Sequence, residues 1–418
     1  MRAYSVLSLV GVVGAVNMPR QATSAPSSVS LASTNPSAIP ISSIYASMPT
    51  QATTALDTTY TAGATPPVSG APVLPTAVIN PTVYPPLDQV PPINSPEVQQ
   101  WIKEVQSSGV VIPGLPATQA GGCSDPANSA AVANASASGS CWWTCGGCSR
   151  DTDITTCPDK LTWGVSYDDG PSPYTPNLLQ YLDQQQLKST FFIVGSRAIS
   201  RPQILQSEYM GGHQLSVHTW SHPSLTTLTT EQIIAELGWT KKRSKTLRAS
   251  RQTPCGLLMV ISTIDAGGSD FDTNDWHVPS GLSAESVLSN FETILGKASS
   301  LNTGFIVLSH DLYQQTVDLA TGYIIPDALA RGFHLQNIIS CLKKPLSEAY
   351  IETSSNTTSP ASTGTMSIGG SSASASGSHT GTTAPGSTAK PSSSSAVGIS
   401  TSALSVVIGL GICVFSLF

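Results

Sequence analysis

Three short polar clusters in this chain combine residue types that can hold a metal ion and move protons. The first is Tyr167-Asp168-Asp169-Gly170-Pro171. Adjacent carboxylates repel, so burying both is costly unless a cation or a proton resolves the conflict. The second is His218-Thr219-Trp220-Ser221-His222. Two His four residues apart can present both rings to one ion, and a carboxylate with two imidazoles is a usual open Zn2+ set. The third is Ser309-His310-Asp311, with one His that can carry a proton near neutral pH. Taken singly, each has an ordinary explanation: a turn, a surface pair, a structural imidazole. All three at equivalent places in one domain make metal-assisted acid–base chemistry the better reading.

The places are equivalent because each cluster ends a strand-like run. LTWGVSYDDGPSPYTPNLLQYLDQQQLKSTFFIVG reads as strand, loop, helix, strand, with Leu178, Leu179 and Leu182 on the buried side of the helix. HQLSVHTWSH is a strand running into a loop. TTEQIIAELGWTKK is a helix capped by Thr230 that turns Ile233, Ile234 and Leu237 inward, and GFIVLSHD is the last clear strand. Further upstream, SPEVQQWIKEV sets a Ser before a helical pattern with Val98, Ile102 and Val105 on one face. Strands alternating with helices imply an α/β domain with a largely parallel sheet or barrel. Such barrels keep their chemistry at the C-terminal ends of the strands.

Composition bounds the rest. Only 11% of the 418 residues are charged, against about 25% in ordinary domains, so low-complexity sequence must dilute a globular part. A net charge of -6 leaves no basic footprint for nucleic acid. Residues 1–16 have the form of a secretory signal peptide. The tract 17–81 and the tract 346–402 are Ser/Thr-rich and are expected to be disordered, O-glycosylated stalks. Residues 403–418 form an apolar tail after a polar spacer, the order of a GPI-attachment signal, with attachment expected between Gly386 and Ser394. Asn134 and Asn356 are N-glycosylation acceptors in a secreted chain. Cys123, Cys141, Cys145, Cys148, Cys157 and Cys341 then read as three disulfides whose pairing stays open.

With these residues in view, YDDGP, HTWSH and the late LSHD resemble the motifs of polysaccharide deacetylases, carbohydrate esterase family 4. CWWTCGGCSRDTDITTCPDK and SPEVQQWI resemble the fungal chitin deacetylases in particular. The resemblance runs from about Tyr84 to Leu342. It implies an N-terminal extension (82–160) and a catalytic domain (161–345), a distorted (β/α) barrel of the polysaccharide deacetylase (NodB homology) type. It implies one divalent ion, Zn2+ with Co2+ as the alternative, held by Asp169, His218 and His222. Asp168 would be the base that takes a proton from water, and His310 the acid that protonates the departing amine. FDTNDW at 271–276 matches the fourth motif, so Asp275 or Asp272 would tune His310, while Trp276 and Leu308 would line the acetyl slot. Tyr174 is a candidate sugar contact, and His213 is expected to be structural. The implied partner is chitin or its oligomers, with the membrane met only through the GPI anchor. Two other readings are a deacetylase of another N-acetylated glycan and a catalytically dead chitin-binding wall protein.

One stretch departs from the family. The third motif should read RPPY, an Arg that pairs with the base and a Tyr whose backbone N–H stabilises the oxyanion. In its place stands KKRSKTLRASRQTPCGLLMVISTIDAGGSD. Codons for Cys255 to Val260, written TGC GGC CTC CTT ATG GTG and read from each third base, spell CGG CCT CCT TAT GGT, or R-P-P-Y-G. The family also carries a further helix and strand before its fourth motif, and few residues remain here for them. Residues 243–270 therefore read as a mistranslated or misspliced segment, or a null allele.

Overall fold

The computed structural model describes residues 29–76, 80–109, 111–137, 140–151, 153–246, 256–260, 262–263, 270–347 and 412–416. The expected signal peptide, the C-terminal stalk from residue 348 and most of the altered stretch lie outside these residues.

Buried runs rich in aromatic and branched residues form the core strands β1 (Thr162–Gly164), β2 (Ser166–Asp168), β3 (Thr190–Ile193) and β4 (Gln214–Val217). They are followed by β5 (Gly256–Val260), β6 (Phe305–Ile306), β7 (His334–Gln336) and β8 (Ile412–Ser416). Every pairing among them is parallel. One sheet has the order β6-β1-β7 and the other β2-β3-β4-β8-β5. Val165 is the pivot between them: its N–H donates to the Gln336 carbonyl of the first sheet, and its own carbonyl accepts from Thr190 N of the second. Backbone bridges Asp168–His310 and Asp272–Leu308 join the two sheets again. The parallel α/β class agrees with the sequence expectation; among the described residues the strands make two linked sheets, not one closed ring.

Helices α1 (Pro96–Ser107), α2 (Ser129–Ala133), α3 (Trp143–Gly146), α4 (Thr175–Gln184), α5 (Gly195–Ser200) and α6 (Pro202–Met210) precede α7 (Thr230–Thr246). After them come α8 (Ala284–Ala298), α9 (Gln314–Leu319), α10 (Ile325–Ala330) and α11 (Ile338–Cys341). Helix α4 buries Leu178 and Leu182 as its periodicity demands, with Leu179 partly buried beside them. Helix α7 differs from expectation. Its cap is Thr229, whose hydroxyl accepts from Gln232 N while the Gln232 side chain accepts from Thr229 N, a reciprocal capping box. Its fully buried face is Ala235, Glu236, Trp239 and Thr240, whereas Ile233, Ile234 and Leu237 are only partly buried. The reason is the partners: Trp239 meets Tyr84, Trp101 and Trp220 in one aromatic cluster, which docks α1 onto α7.

The expected disordered tract 17–81 is corrected from residue 29 onward. It lies as a strap across the helices, with Asn35 N bonded to the Gly322 carbonyl and Tyr209 Oη donating to the Pro72 carbonyl. Ile44 and Leu74 are buried to 2% and 1% exposure in the main core. Low-complexity sequence hides this because two widely separated apolar residues have no period; each fits a groove that the helices provide. Leu74→Ala is expected to lower the unfolding free energy by about 2–5 kcal/mol, read as a lower urea midpoint. An unchanged midpoint would show that the strap is not part of the cooperative unit.

The apolar tail also enters the fold. Ile412–Ser416 pairs with all of β5 and meets β4 at Val217–Phe415. A sheet edge with unpaired N–H and C=O groups is a template for any β-prone apolar segment, and the altered stretch leaves such an edge beyond β4. Three disulfides, Cys123–Cys145, Cys141–Cys148 and Cys157–Cys341, use the six expected cysteines and supply the pairing. The last ties the segment before β1 to α11. No helix among the described residues is long and apolar enough to cross a membrane.

Candidate active site

The ends of β2 and β4 bring the first two motifs together. Asp168 closes β2 with its N–H on the Ser309 carbonyl and its own carbonyl accepting from Asp311 N, so the third motif is fixed to the first. Asp169 follows at φ 77°, and Thr219 and His222 also sit at positive φ. Each such residue costs on the order of 1–3 kcal/mol and persists only where surrounding bonds over-determine it. Those bonds come from two places. The start of α5 donates to both loops: Val194 N to the Gly170 carbonyl, Gly195 N to that of Thr219, and Ser196 N to that of Trp220. Glu236 of α7 accepts from Trp220 N, Ser221 N and the Ser221 hydroxyl. Gly170 is required, since a side chain there would meet the Asp311 carboxylate.

In this frame His218 Nε2 lies 3.3 Å and His222 Nε2 3.0 Å from Asp169 Oδ1. All three donor atoms lie within 4.8 Å of one another. Two donors about 2.1 Å from one tetrahedral ion are about 3.4 Å apart, so the spacing fits Zn2+ or an ion of similar size. Asp169 Oδ1 is buried and makes no hydrogen bond of good geometry, although both rings approach it. Burial pushes the His218 ring down to about 4, so it is a neutral imidazole with a lone pair to give. Burial opposes ionisation of Asp169, but the two imidazoles outweigh it and hold the carboxyl well below the usual range. The donor set therefore fits a divalent cation. Asp168 Oδ2 stands 3.9 Å from His218 Nε2, beside this set and outside it.

His310 faces the same space from the other sheet. Its Nδ1 is 2.7 Å from Asp275 Oδ1, and its backbone N–H donates to Asp275 Oδ2. Of the two acids considered from sequence, Asp275 is thus the partner of the ring. Asp272 instead accepts from Asn274 N, and the turn so formed, with Asn274 at φ 59°, presents Asp275. Burial lowers the His310 pKa, but Asp275, Asp169 and Asp168 more than reverse this and raise it to about 10. Positive charge added at Asp169 works against that attraction and brings the ring back toward the neutral range.

The remaining candidates separate. Trp276 is 41% exposed and stacks on His277, with ring centroids 3.5 Å apart; it is no core residue. Leu308 is buried next to His310, its carbonyl accepting from Thr273 Oγ1. Tyr174 is partly buried against the main core. His213 is buried and structural in its contacts, its Nδ1 accepting from Ser189 N. Sequence reasoning passed over Glu236, Asp311 and Arg197. Arg197 Nη1 donates to the Asp169 carbonyl at 2.7 Å and lies 3.7 Å from Asp169 Oδ1. Asp311 accepts from the Thr175 hydroxyl beneath the Asp169–Gly170 turn, and burial pushes its carboxyl up to about 7. A charge in an otherwise apolar helix face was the available signal for Glu236; none existed for Arg197.

His222→Ala is expected to remove bound metal, from about one ion per chain to a small fraction, measured by elemental analysis of the purified protein. Unchanged metal content would remove this assignment.

Comparison with known proteins bears on this geometry. Residues 155–254 match the family described as Polysaccharide deacetylase. Chitin deacetylase 1 of Cryptococcus neoformans var. grubii is 50% identical over 400 residues, covering 87% of this chain and 82% of that protein. Chitin deacetylase 3 of Cryptococcus neoformans var. neoformans is 36% identical over 211 residues, which is 46% of this chain and 50% of the relative. Among solved structures, the chitin deacetylase of the fungal pathogen Colletotrichum lindemuthianum aligns with TM-score 0.38 and 24% identity, covering 46% of this chain and 92% of that one.

Proposed function

We propose that this chain, which belongs to the polysaccharide deacetylase family, hydrolyses the N-acetyl groups of chitin to give chitosan and acetate in a metal-dependent reaction. The observation that carries this is one cleft edge holding a cation-binding triad, a carboxylate beside it and an imidazole–carboxylate pair opposite. A divalent ion at Asp169, His218 and His222 supplies Lewis acidity, lowering the pKa of water and polarising the acetamide carbonyl. Asp168 takes the proton from the attacking water, whose oxygen bonds to the acetyl carbon. His310, held by Asp275, gives its proton to the amide nitrogen as the C–N bond breaks, so a free amine and acetate leave. Trp276 and Leu308 line the acetyl slot. Tyr174 touches sugar only if the loop after Gly170 carries it outward.

Acetate release from N-acetylchitohexaose, abolished by a chelator and restored by Zn2+ or Co2+, tests this reading. Release from peptidoglycan but not from chitin oligomers would favour another acetylated glycan. The altered stretch 243–270 favours one second reading, a chitin-binding wall protein without turnover.

The protein is further proposed to be exported and GPI-anchored at the fungal cell surface. The support is the polar spacer and apolar tail of residues 346–418. Deleting Ala403 to Phe418 is expected to send folded protein into the medium, read by cell fractionation. If the deleted form stays with the membrane, the anchor proposal fails. If it is lost to degradation instead, pairing of Ile412–Ser416 in the sheet is what the tail is for.

A further inference from the structure

The N-terminal strap reaches the side of the domain that carries the chemistry. Gln51 N donates to the Gln314 side chain at the start of α9, just after the His310 loop. Thr54 N donates to the Asn177 side chain in the first turn of α4, just after the Asp169 loop. Between the strap and that second loop lies a pocket of about 320 Å3, at the small end of ligand sites, which span about 300–1,000 Å3. Its apolar wall is Leu56, Pro173 and Pro176, and its polar wall is Thr53, Thr54 and Arg201.

We infer that this pocket is a subsite for an uncharged, N-acetylated hexosamine unit of the same glycan strand, and that it turns away deacetylated units. The inference rests on the deacetylase reading above and names the substrate pattern of that site. Its composition suits a pyranose, whose C–H face packs on proline and leucine while its edge bonds to hydroxyls, with Ser200 and Gln203 adding donors and acceptors at the rim. Arg201 is the decisive residue. Its guanidinium is partly buried and the one hydrogen bond described for it goes from Nη1 to the Pro171 carbonyl, 3.4 Å away. A guanidinium has five donors and no acceptor, so it serves a hydroxyl or an acetamide oxygen and cannot accept from an ammonium. Arg197 adds a second positive charge nearby, and Asp88 offsets only one of the two. A glucosamine unit, protonated below neutral pH, therefore meets like charge.

The test is calorimetric binding at pH 6 with the full chain, using N-acetylchitohexaose, the fully deacetylated hexamer and N-acetylchitobiose. Arg201→Gln and Thr54→Trp, the latter filling the pocket, are expected to weaken hexaose binding about three- to tenfold. Both should leave chitobiose binding unchanged, and Arg201→Gln should narrow the preference for the acetylated hexamer by a similar factor. Hexaose bound equally by both variants and the wild type overturns the subsite while the proposed function stands. A matching loss for chitobiose overturns it too, since the residues would then act through the catalytic centre. If the wild type binds neither acetylated oligomer, the chitin reading itself fails and the subsite with it.

Discussion

Replacing residues 243–270 by the sequence of the shifted frame, together with the absent helix and strand, is expected to raise acetate release from N-acetylchitohexaose by at least about 10²–10³-fold. That factor is the typical cost of losing one oxyanion donor, here the backbone N–H of the missing Tyr. The missing Arg adds a second loss. Without it Asp168 has no guanidinium to hold its carboxylate in place, and general-base catalysis is itself worth roughly 10²–10⁴. The two need not multiply, because they act on one transition state. Arg197 does not stand in for that Arg: its bonds are to the carbonyl and carboxylate of Asp169, which the metal reading needs as a ligand. Metal content should be the same before and after the repair, since Asp169, His218 and His222 all precede the altered stretch. Asp168→Asn in the repaired chain should abolish turnover with the metal still bound. Equal rates for the chain with and without the repair would sink both the frame argument and the role given to the third motif.

Asp275→Asn in the repaired chain should cost nearly as much, and it separates Asp275 from Asp272. His310 owes its raised pKa first to Asp275, against the pull of burial. With an amide in place of that carboxylate, a ring this buried loses its proton far more readily, and the acid needed for the departing amine is absent near neutral pH. A fall in kcat/KM of about 10²–10⁴, with the alkaline limb of the pH profile moved to lower pH, is the expected result. Stability should change as well. The folded-state pKa of about 10 lies above the unfolded value of about 6.5. The pair therefore contributes stability that is full below about pH 6.5 and is lost as pH rises through about 10. Breaking a buried pair by removing one partner costs about 3–5 kcal/mol, so the variant should unfold earlier at pH 6 and show a flatter pH dependence. Asp272→Asn, which keeps an acceptor for Asn274 N, should move neither profile. An unshifted limb in Asp275→Asn would mean that His310 is tuned by something else.

The chemistry was legible in the sequence because it depends on residue type at strand ends. YDDGP, HTWSH and LSHD each close an apolar run, and a parallel α/β fold brings the C-terminal ends of such runs to one side whatever the details. The buried face of α4 was legible for a similar reason: Leu178 and Leu182 repeat at helical spacing. Where the deciding interaction is local but polar, sequence periodicity misled. The Thr229–Gln232 box sets the start of α7. Glu236 is buried there because three donors of the His218–His222 loop require an acceptor.

What only the tertiary structure decided are the contacts between residues far apart in the chain. Asp275 and not Asp272 reaches His310 because the Asp272–Asn274 turn aims it there, and both acids read alike in the motif. The six cysteines allow fifteen pairings by arithmetic alone; three of their sulfur–sulfur contacts exist because β1, α11 and the segment between α2 and β1 place them so. Residues 29–76 look like a stalk because their apolar content is too sparse to build a core. Ile44 and Leu74 need not build one, since the helices already offer grooves that bury them. A sequence states which groups are available and what they can do. Which groups meet depends on chain reversals and long-range packing, whose free energy is shared among many weak contacts and leaves no mark at any one position.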